Sequence, residues 1–590
     1  MTGSNAHNAD VIVVGGGPAG TTVATLLRKY NPDLSVIILE KAHFPREHIG
    51  ESQLPVIGAI LNEMGAWDKV EAANFPIKLG ASYTWGKDND EWDFDFYPPE
   101  DFVDEPRPGK YQGQRRFTAF QVERSRYDEI LLRHAEECGA QVREGAQVRT
   151  VHRDGDRVTG LELDSGETLT ARHYIDATGH TALLRRALGV ESVAPKQLRN
   201  VAFWAYYDDA KWAIEIGVGG TRIQIRSLPY GWMWFIPLGP RRASVGLVCP
   251  SEYYKSTGLT PTQVFERAIA DQPFFASLLA DAKCTSGDEV LSTKNWSHLA
   301  DRLVGENWWI CGEAAGFADP ILSAGMTLAH GTAREVAYSI LEIDRGELDA
   351  DWIKTCYNDK ARRNIDQHIR FAEYWYAANS CFVDLKEHCQ LIARDSGLRL
   401  TPPQAWRWLA QGGFTNQQLG FAGLGSFDIG STKRLIELFS GRSTTFNILK
   451  FNKFKLNLAG ATEGHVAELR EGRIRRVPCY ERGPSILPVT GTWKTMINLL
   501  GRESDFETLY TMVVKAEQKK GAESGGHAHA FRAMQALEAM LVEGWVVGSV
   551  DKKRPMMTLQ DKAGKTIRWA RDANAALDKA KGSVRLPDEA

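Results

Sequence analysis

The stretch Gly15-Gly16-Gly17-Pro18-Ala19-Gly20 places G-x-G-x-x-G after an apolar run and at the start of a helical pattern. The chemistry open to such a turn is binding of a dinucleotide phosphate. Gly15 permits the tight turn, Gly17 lets backbone approach a pyrophosphate, and Gly20 packs helix against strand. Pro18 and Ala19 open the helix, whose unpaired N–H groups and positive dipole end face the phosphate. Glu40 stands twenty positions after Gly20, where a carboxylate accepts from a ribose hydroxyl. Two later segments repeat strand and glycine turn with a carboxylate: Asp176 to Gly179, and Gly312-Glu313. Lys78, in Phe75-Pro76-Ile77-Lys78-Leu79-Gly80, carries a different potential. Its amine is a point donor whose pKa falls on desolvation. Trp232 and Trp234 alternate along a strand-like run and can form a rigid wall. Each has a plainer reading: an isolated lysine is commonly solvated, and alternate tryptophans commonly face a core.

The elements that must position these residues are legible around them. Val11 to Val14 is a continuous apolar run, as in a strand buried on both faces. Gly20 to Tyr30 has helical periodicity and stops before Asn31-Pro32, and Val36 to Leu39 is a second buried strand. Between Gln141 and Ile175, alternating strands are broken by Asp154-Gly155-Asp156 and Asp164-Ser165-Gly166, both hairpin signals. A strand-rich stretch runs from Leu198 to Val248, and Leu303 to Leu341 returns to strand, loop and long helix. Gln411 to Gly430 is rich in Gly, Phe and Gln and reads as linker. Phe531 to Glu543 reads as a helix, followed by strands at Gly544 to Val547 and Met556 to Leu559. Asp551-Lys552-Lys553-Arg554 joins them, which suggests a winged-helix-like end. The expected fold class is α/β: a dinucleotide-binding Rossmann core over 1–395 with an inserted antiparallel sheet (about 75–120 and 198–300). A linker and helical region follows over 396–470, then a C-terminal domain over 471–590.

Composition narrows the class. The chain has 590 residues, 43% hydrophobic and 25% charged, with a net charge of −3. This is an ordinary globular balance with no general drive towards nucleic acid or anionic membrane. No run approaches the apolar length of a spanning helix, and the polar N-terminus shows no signal peptide. The 8 cysteines are scattered without metal spacing. We expect a cytoplasmic chain with reduced thiols, no disulfides and no metal site. His527 and His529, in a Gly/Ser-rich loop, read as solvent-facing.

The later glycine turns resemble the FAD-contact motifs of glutathione-reductase-like flavoproteins. The usual acid of the last turn is Asp; Glu313 keeps the acceptor and adds a methylene. Asp319-Pro320 and Ser323-Ala324-Gly325-Met326 then open a long helix, where backbone amides can face a flavin ring. Only one complete dinucleotide fingerprint is present, so reducing equivalents are expected as ready-made FADH2. Phe44-Pro45-Arg46 and Gly50-Glu51-Ser52 resemble a flavin-adjacent loop. Trp232-Met233-Trp234-Phe235-Ile236-Pro237 fits the W-x-W-x-I-P signature of flavin-dependent halogenases, and Lys78 stands where that family places its essential lysine. The likeness runs from about Val11 to Asp395, resembles the chloramphenicol-biosynthesis subgroup, and extends weakly into the C-terminal domain.

This resemblance implies a chemistry and a site. A flavin C4a-hydroperoxide is attacked by chloride or bromide, giving hypohalous acid that crosses a tunnel to Lys78. Trp232 and Trp234 wall the tunnel, and Ser323, Ala324 and Gly325 meet halide and flavin. FAD contacts fall on Gly15, Gly17, Pro18, Ala19, Gly20, Glu40, Lys41, Arg46, Ser52, Arg124 and Val148. They continue on Asp176, Gly179, Gly312, Glu313, Pro320, Gly325 and Met326. O2, a separate NAD(P)H-flavin reductase, and a small or carrier-protein-bound substrate complete the set. The tryptophan-modifying branch has a glutamate just before the loop serine; here it is Leu322. That points to phenols, pyrroles or enolisable acyl groups. Some relatives hold flavin covalently through an aspartate, an ester that Asn295 could not make.

Three other readings stay open. Pro229 to Pro237 also matches the P-x-x-Y-x-W-x-F-P spacing of isoprenoid reductases, with Trp232 for Tyr and Ile236 for Phe. A single-component aromatic hydroxylase would oxidise NAD(P)H by itself. A DNA-associated flavin regulator would read bases through Arg532, Gln535 and Glu538, thin support for nucleic-acid binding.

Overall fold

The computed structural model describes residues 7–84, 91–97, 101–195, 198–211, 220–239, 241–287, 290–377, 447–483, 485–518, 536–538, 540–541, 543–559 and 567–570. The stretch Gln411 to Gly430, His527, His529, Arg532 and Gln535 lie outside them. The chain forms two compact units: Met1–Val383 with Leu469–Ile474, and Asp384–Glu468 with Arg475–Ala590.

The first unit is built on five parallel strands. Their spatial order is Trp308–Ile310, Ala171–Asp176, Ala9–Val14, Val36–Glu40 and Gln141–Glu144. All five residues of Val36–Glu40 are buried, as the apolar run requires of a strand covered on both faces. The helix Pro18–Tyr30 makes the first crossover and ends at Asn31. The hairpin signals around Gly155 and Gly166 turn a separate sheet of Val148–Asp154, Arg157–Leu163 and Thr168–Leu169.

Strands from two distant stretches build a second, nine-stranded sheet. Asn200–Asp208, Arg242–Pro250, Gly231–Pro237 and Gly220–Leu228 run antiparallel in that order. Ile77–Thr84 then joins Gly220–Leu228 in parallel, with a register shift at Thr221/Arg222. The expected antiparallel insert is therefore a mixed sheet. No hairpin links these two strands, so nothing forces them to run in opposite directions. Met233 and Phe235 pack with Val264, Phe265 and Phe275 in one apolar cluster beneath helices. Because side chains alternate along a strand, Trp232 and Trp234 stand on the opposite face.

The second unit has its own core, including Ile448, Phe454, Met496, Leu509, Leu537 and Trp545. The stretch from Asn447 thus contributes core residues where a linker was expected. The expected hairpin is also corrected. Val546–Ser549 pairs with Lys453–Leu456, and Met556–Leu559 pairs with Ile567–Ala570, so the two strands do not form one hairpin. The turn between them is held elsewhere: Asn452 Nδ2 donates to the carbonyls of Asp551 (2.8 Å) and Arg554 (3.0 Å). Glu538 is buried and accepts from the Ile448 amide at 2.8 Å, so it cannot read bases. Among the described residues no helix is long and apolar enough to cross a membrane.

Candidate active site

The glycine turn is fixed by sterics. Gly15 has φ +110°, and a Cβ there would lie 2.3 Å from the Ala177 carbonyl oxygen. A Cβ on Gly20 would lie 1.9 Å from the Gly15 carbonyl oxygen. The helix beginning at Pro18 has no side-chain cap and no acidic residue in its first turn, which leaves its N–H groups for an anion. Glu40 Oε2 accepts from the Gly16 amide (2.8 Å) and Oε1 from the Ala42 amide (2.9 Å). The carboxylate therefore braces the turn and holds Lys41 between its two anchors. Arg46 lies beside Gly17, with Nη2 3.2 Å from where a Gly17 Cβ would be.

Arg124 clamps Asp128 through two bonds of 2.8 and 2.9 Å. Its Nη1 also donates to the carbonyls of Ile49 and Gly50. This clamp fixes the Gly50-Glu51-Ser52 loop from a helix more than seventy positions away. Val148 pairs with Leu163, with its side chain buried. Asp176 spends its oxygens on the Thr178 amide and hydroxyl and on the Arg185 amide. It holds the second glycine turn, while Gly179 faces Glu313: a Cβ on Gly179 would meet Glu313 Oε2 at 3.6 Å. Burial pushes the Glu313 carboxyl above its ordinary range. Gly312 packs on the first helix, 2.9 Å from Ala19 Cβ to where its own Cβ would be.

Several buried polar atoms here lack a protein partner: Ser52 Oγ, both Gln121 amide atoms and Thr327 Oγ1. Ser52 and Gln121 are bridged through their backbones, and Thr327 stands in the first turn of the helix Gly325–Arg345, next to Met326. Buried polar groups are ordinarily bonded, so these fit a ligand with a polar ring edge. Together with the bare helix N-terminus and Glu40, the donor set fits FAD.

Lys78 is 1% exposed. Its Nζ donates to the Gln53 carbonyl at 2.9 Å and lies 3.5 Å from Ser323 Oγ. The Phe96 ring lies 5.3 Å from the same nitrogen. Burial lowers the amine to about 7, so both protonation states are populated near neutrality. Ser323 takes a left-handed conformation, φ 54°, at the end of the short turn Pro320–Leu322. Asp319 starts that turn, accepting from the Ile321 amide at 3.0 Å. The Trp232 and Trp234 ring centroids are 5.9 Å apart, and Trp234 Nε1 donates to Ser244 Oγ at 3.2 Å. Glu51 is buried facing the hydroxyls of Ser244 and Tyr206, and burial pushes its carboxyl up to about 7.

A family model described as tryptophan halogenase matches residues 10–104 and 102–382. The chain belongs to the tryptophan halogenase family. Within it, the chain is 33% identical to a tryptophan 2-halogenase of Chondromyces crocatus over 358 residues, 59% of this chain and 64% of that protein. The chain thus spans less than two thirds of that relative's length. It is 31% identical to a 1H-pyrrole-2-carbonyl-[peptidyl-carrier protein] chlorinase of Pseudomonas fluorescens, covering 64% of this chain and 85% of that protein. The solved structure of CmlS, a flavin-dependent halogenase, is 25% identical with a TM-score of 0.67, covering 92% of this chain and 96% of its own. The expected subgroup resemblance is therefore borne out. Halogenases of this family use FAD, halide and O2. Family membership, matched over residues 10–382, sets aside the isoprenoid-reductase reading.

The fold brings Lys78, Ser323 and the Gln53 carbonyl into direct contact. Gln53, Gln121 and Tyr376 were not singled out in the sequence. Gln53 and Gln121 sit next to recognised motifs, but Tyr376 carries no local signal at all.

Proposed function

We propose that this halogenase uses FADH2 to chlorinate or brominate an electron-rich or enolisable substrate of secondary metabolism, free or carrier-bound. The observation that carries the reading is Lys78: a buried amine with no carboxylate partner among the described residues, 3.5 Å from the Ser323 hydroxyl. Reduced flavin and oxygen supply the oxidising equivalent that converts chloride to hypochlorous acid. As ammonium, Lys78 Nζ donates a hydrogen bond to that acid and orients it. As free base, the same nitrogen attacks chlorine, forming N–Cl as the O–Cl bond breaks, and the departing hydroxide takes one nitrogen proton to leave as water. Trp232 and Trp234 keep substrate from the flavin side, and Ser323 to Gly325 present donors to the halide. Glu51, able to hold a proton near neutrality, stands behind the wall through Ser244.

Leu322 supplies no carboxylate to activate an indole, which favours substrates acidic enough to activate themselves. The relative named as a pyrrolyl-carrier-protein chlorinase supports the carrier-bound option. With one dinucleotide fingerprint, the chain depends on a separate NAD(P)H-flavin reductase. The test combines protein, FAD, a flavin reductase, NADH and chloride, with catalase present and a chlorine-accepting probe. Enzyme-dependent chlorine, lost in Lys78→Ala, is the expected result. Oxygen consumption without halogen transfer would return the chain to the hydroxylase reading.

A further inference from the structure

The Asp319 carboxyl reaches well beyond the short turn that it starts. Oδ1 accepts both the Ile321 amide and the Tyr376 hydroxyl, each at 3.0 Å. The Tyr376 oxygen in turn accepts from Trp232 Nε1 at 2.8 Å. Oδ2 accepts from Trp296 Nε1 at 3.1 Å. All four side chains are buried, Asp319 at 1% exposure. One carboxyl thus ties the loop that ends in Ser323 to the tryptophan wall, through a helix (Ala350–Ala377) whose sequence carries no motif.

A purely structural cap would need only one acceptor. Asparagine caps helical turns about as well as aspartate. Here donors arrive on both oxygens, so an amide would turn an N–H towards either Trp296 or the Ile321/Tyr376 pair. Burying a carboxyl is costly, and that cost is offset only while every donor is in place. The four bonds therefore hold the loop, Tyr376 and the two indoles in one arrangement, and removing any donor weakens the hold on the others.

We propose that Asp319 is a positioning residue that locks the tryptophan wall to the Ser323 loop, so that hypohalous acid reaches Lys78 and does not escape. This rests on the halogenase reading and adds to it a control on how oxidant is partitioned. Asp319 acts through Tyr376 and Trp232 on one side, and through the turn Pro320–Leu322 on the other. Substrate chemistry at Lys78 is left unchanged.

The test compares Asp319→Asn and Tyr376→Phe with wild type in the full chain, loaded with FAD and driven by a flavin reductase, NADH and chloride with catalase. Taurine outside the protein traps escaped oxidant as its chloramine. Gel filtration then recovers oxidant retained on the protein, read by oxidation of thionitrobenzoate. The retained fraction is expected to fall about 3-fold or more in both variants while total chlorine stays near wild type. An unchanged partition, or a parallel loss of FAD binding and total chlorine, would overturn the proposal. A wild type that forms no chlorine would defeat the halogenase reading itself, and the proposal with it. Denaturant unfolding of flavin-free Asp319→Asn, Trp232→Phe and the double variant supplies a readout without turnover. Their stability losses are expected to be less than additive, and strict additivity would show that no Trp232–Tyr376–Asp319 chain exists.

Discussion

Lys78 Nζ and Ser323 Oγ lie 3.5 Å apart although 245 positions separate them in the chain. One comes from a strand of the nine-stranded sheet, the other from the loop before the helix Gly325–Arg345. Their meeting converts an ordinary lysine into a buried amine with a hydroxyl beside it.

Lys78→Ala is expected to lower halogen transfer by about 100-fold or more, the scale at which a positioned catalytic group acts. Flavin content and oxygen consumption should stay close to wild type. Lys78→Arg should fail as well, because a guanidinium stays charged and cannot form N–Cl. Transfer retained in Lys78→Ala, measured with the chlorine-accepting probe, would remove Lys78 from the mechanism, and transfer retained only in Lys78→Arg would exclude the N–Cl route in favour of hydrogen bonding.

The pH profile separates the two roles of the lysine. Burial lowers Lys78 from 10.5 to about 7, so the free base accumulates as pH rises through about 7. Delivery through N–Cl should therefore rise with an apparent pKa near that value, well below that of an exposed lysine. Delivery by the ammonium should instead fall there. Glu51 titrates in the same range, its carboxyl raised by burial to about 7, and loses its proton as pH rises. Repeating the profile with Glu51→Gln removes that second limb.

Gly246 sits directly under the wall. A Cβ there would lie 2.1 Å from Trp234 Cζ2. Gly246→Ala must displace the indole, and overpacking of this kind costs about 1–3 kcal/mol. A lower melting temperature together with more taurine-trapped oxidant is expected. A variant as stable and as tight as wild type would mean that Trp234 does not guard the tunnel.

Gly20→Ala should abolish flavin retention. The added methyl would meet the Gly15 carbonyl oxygen at 1.9 Å and push the helix N-terminus away from the turn. Loss of the flavin absorbance after gel filtration is the readout; full retention would place the phosphate site elsewhere.

The sequence by itself determined everything that local chemistry enforces. Gly15, Gly17 and Gly20 are dictated by backbone clearance, Val11 to Val14 by burial on two faces, and the Trp232/Trp234 face by strand alternation. Each of these constraints acts within a few residues, so it is written in the local pattern. What only the tertiary structure decided depends on non-local pairing. The parallel docking of Ile77–Thr84 on Gly220–Leu228 buries Lys78's strand within the mixed sheet. The pairing of Val546–Ser549 with Lys453–Leu456 replaces the hairpin expected with Met556–Leu559. The carboxyl of Asp319 joins Tyr376 and Trp296 from opposite directions along the chain. Strand partners and the donors of a buried carboxyl are selected by competition among distant segments for burial and hydrogen bonds, and no spacing rule in one sequence records the outcome of that competition.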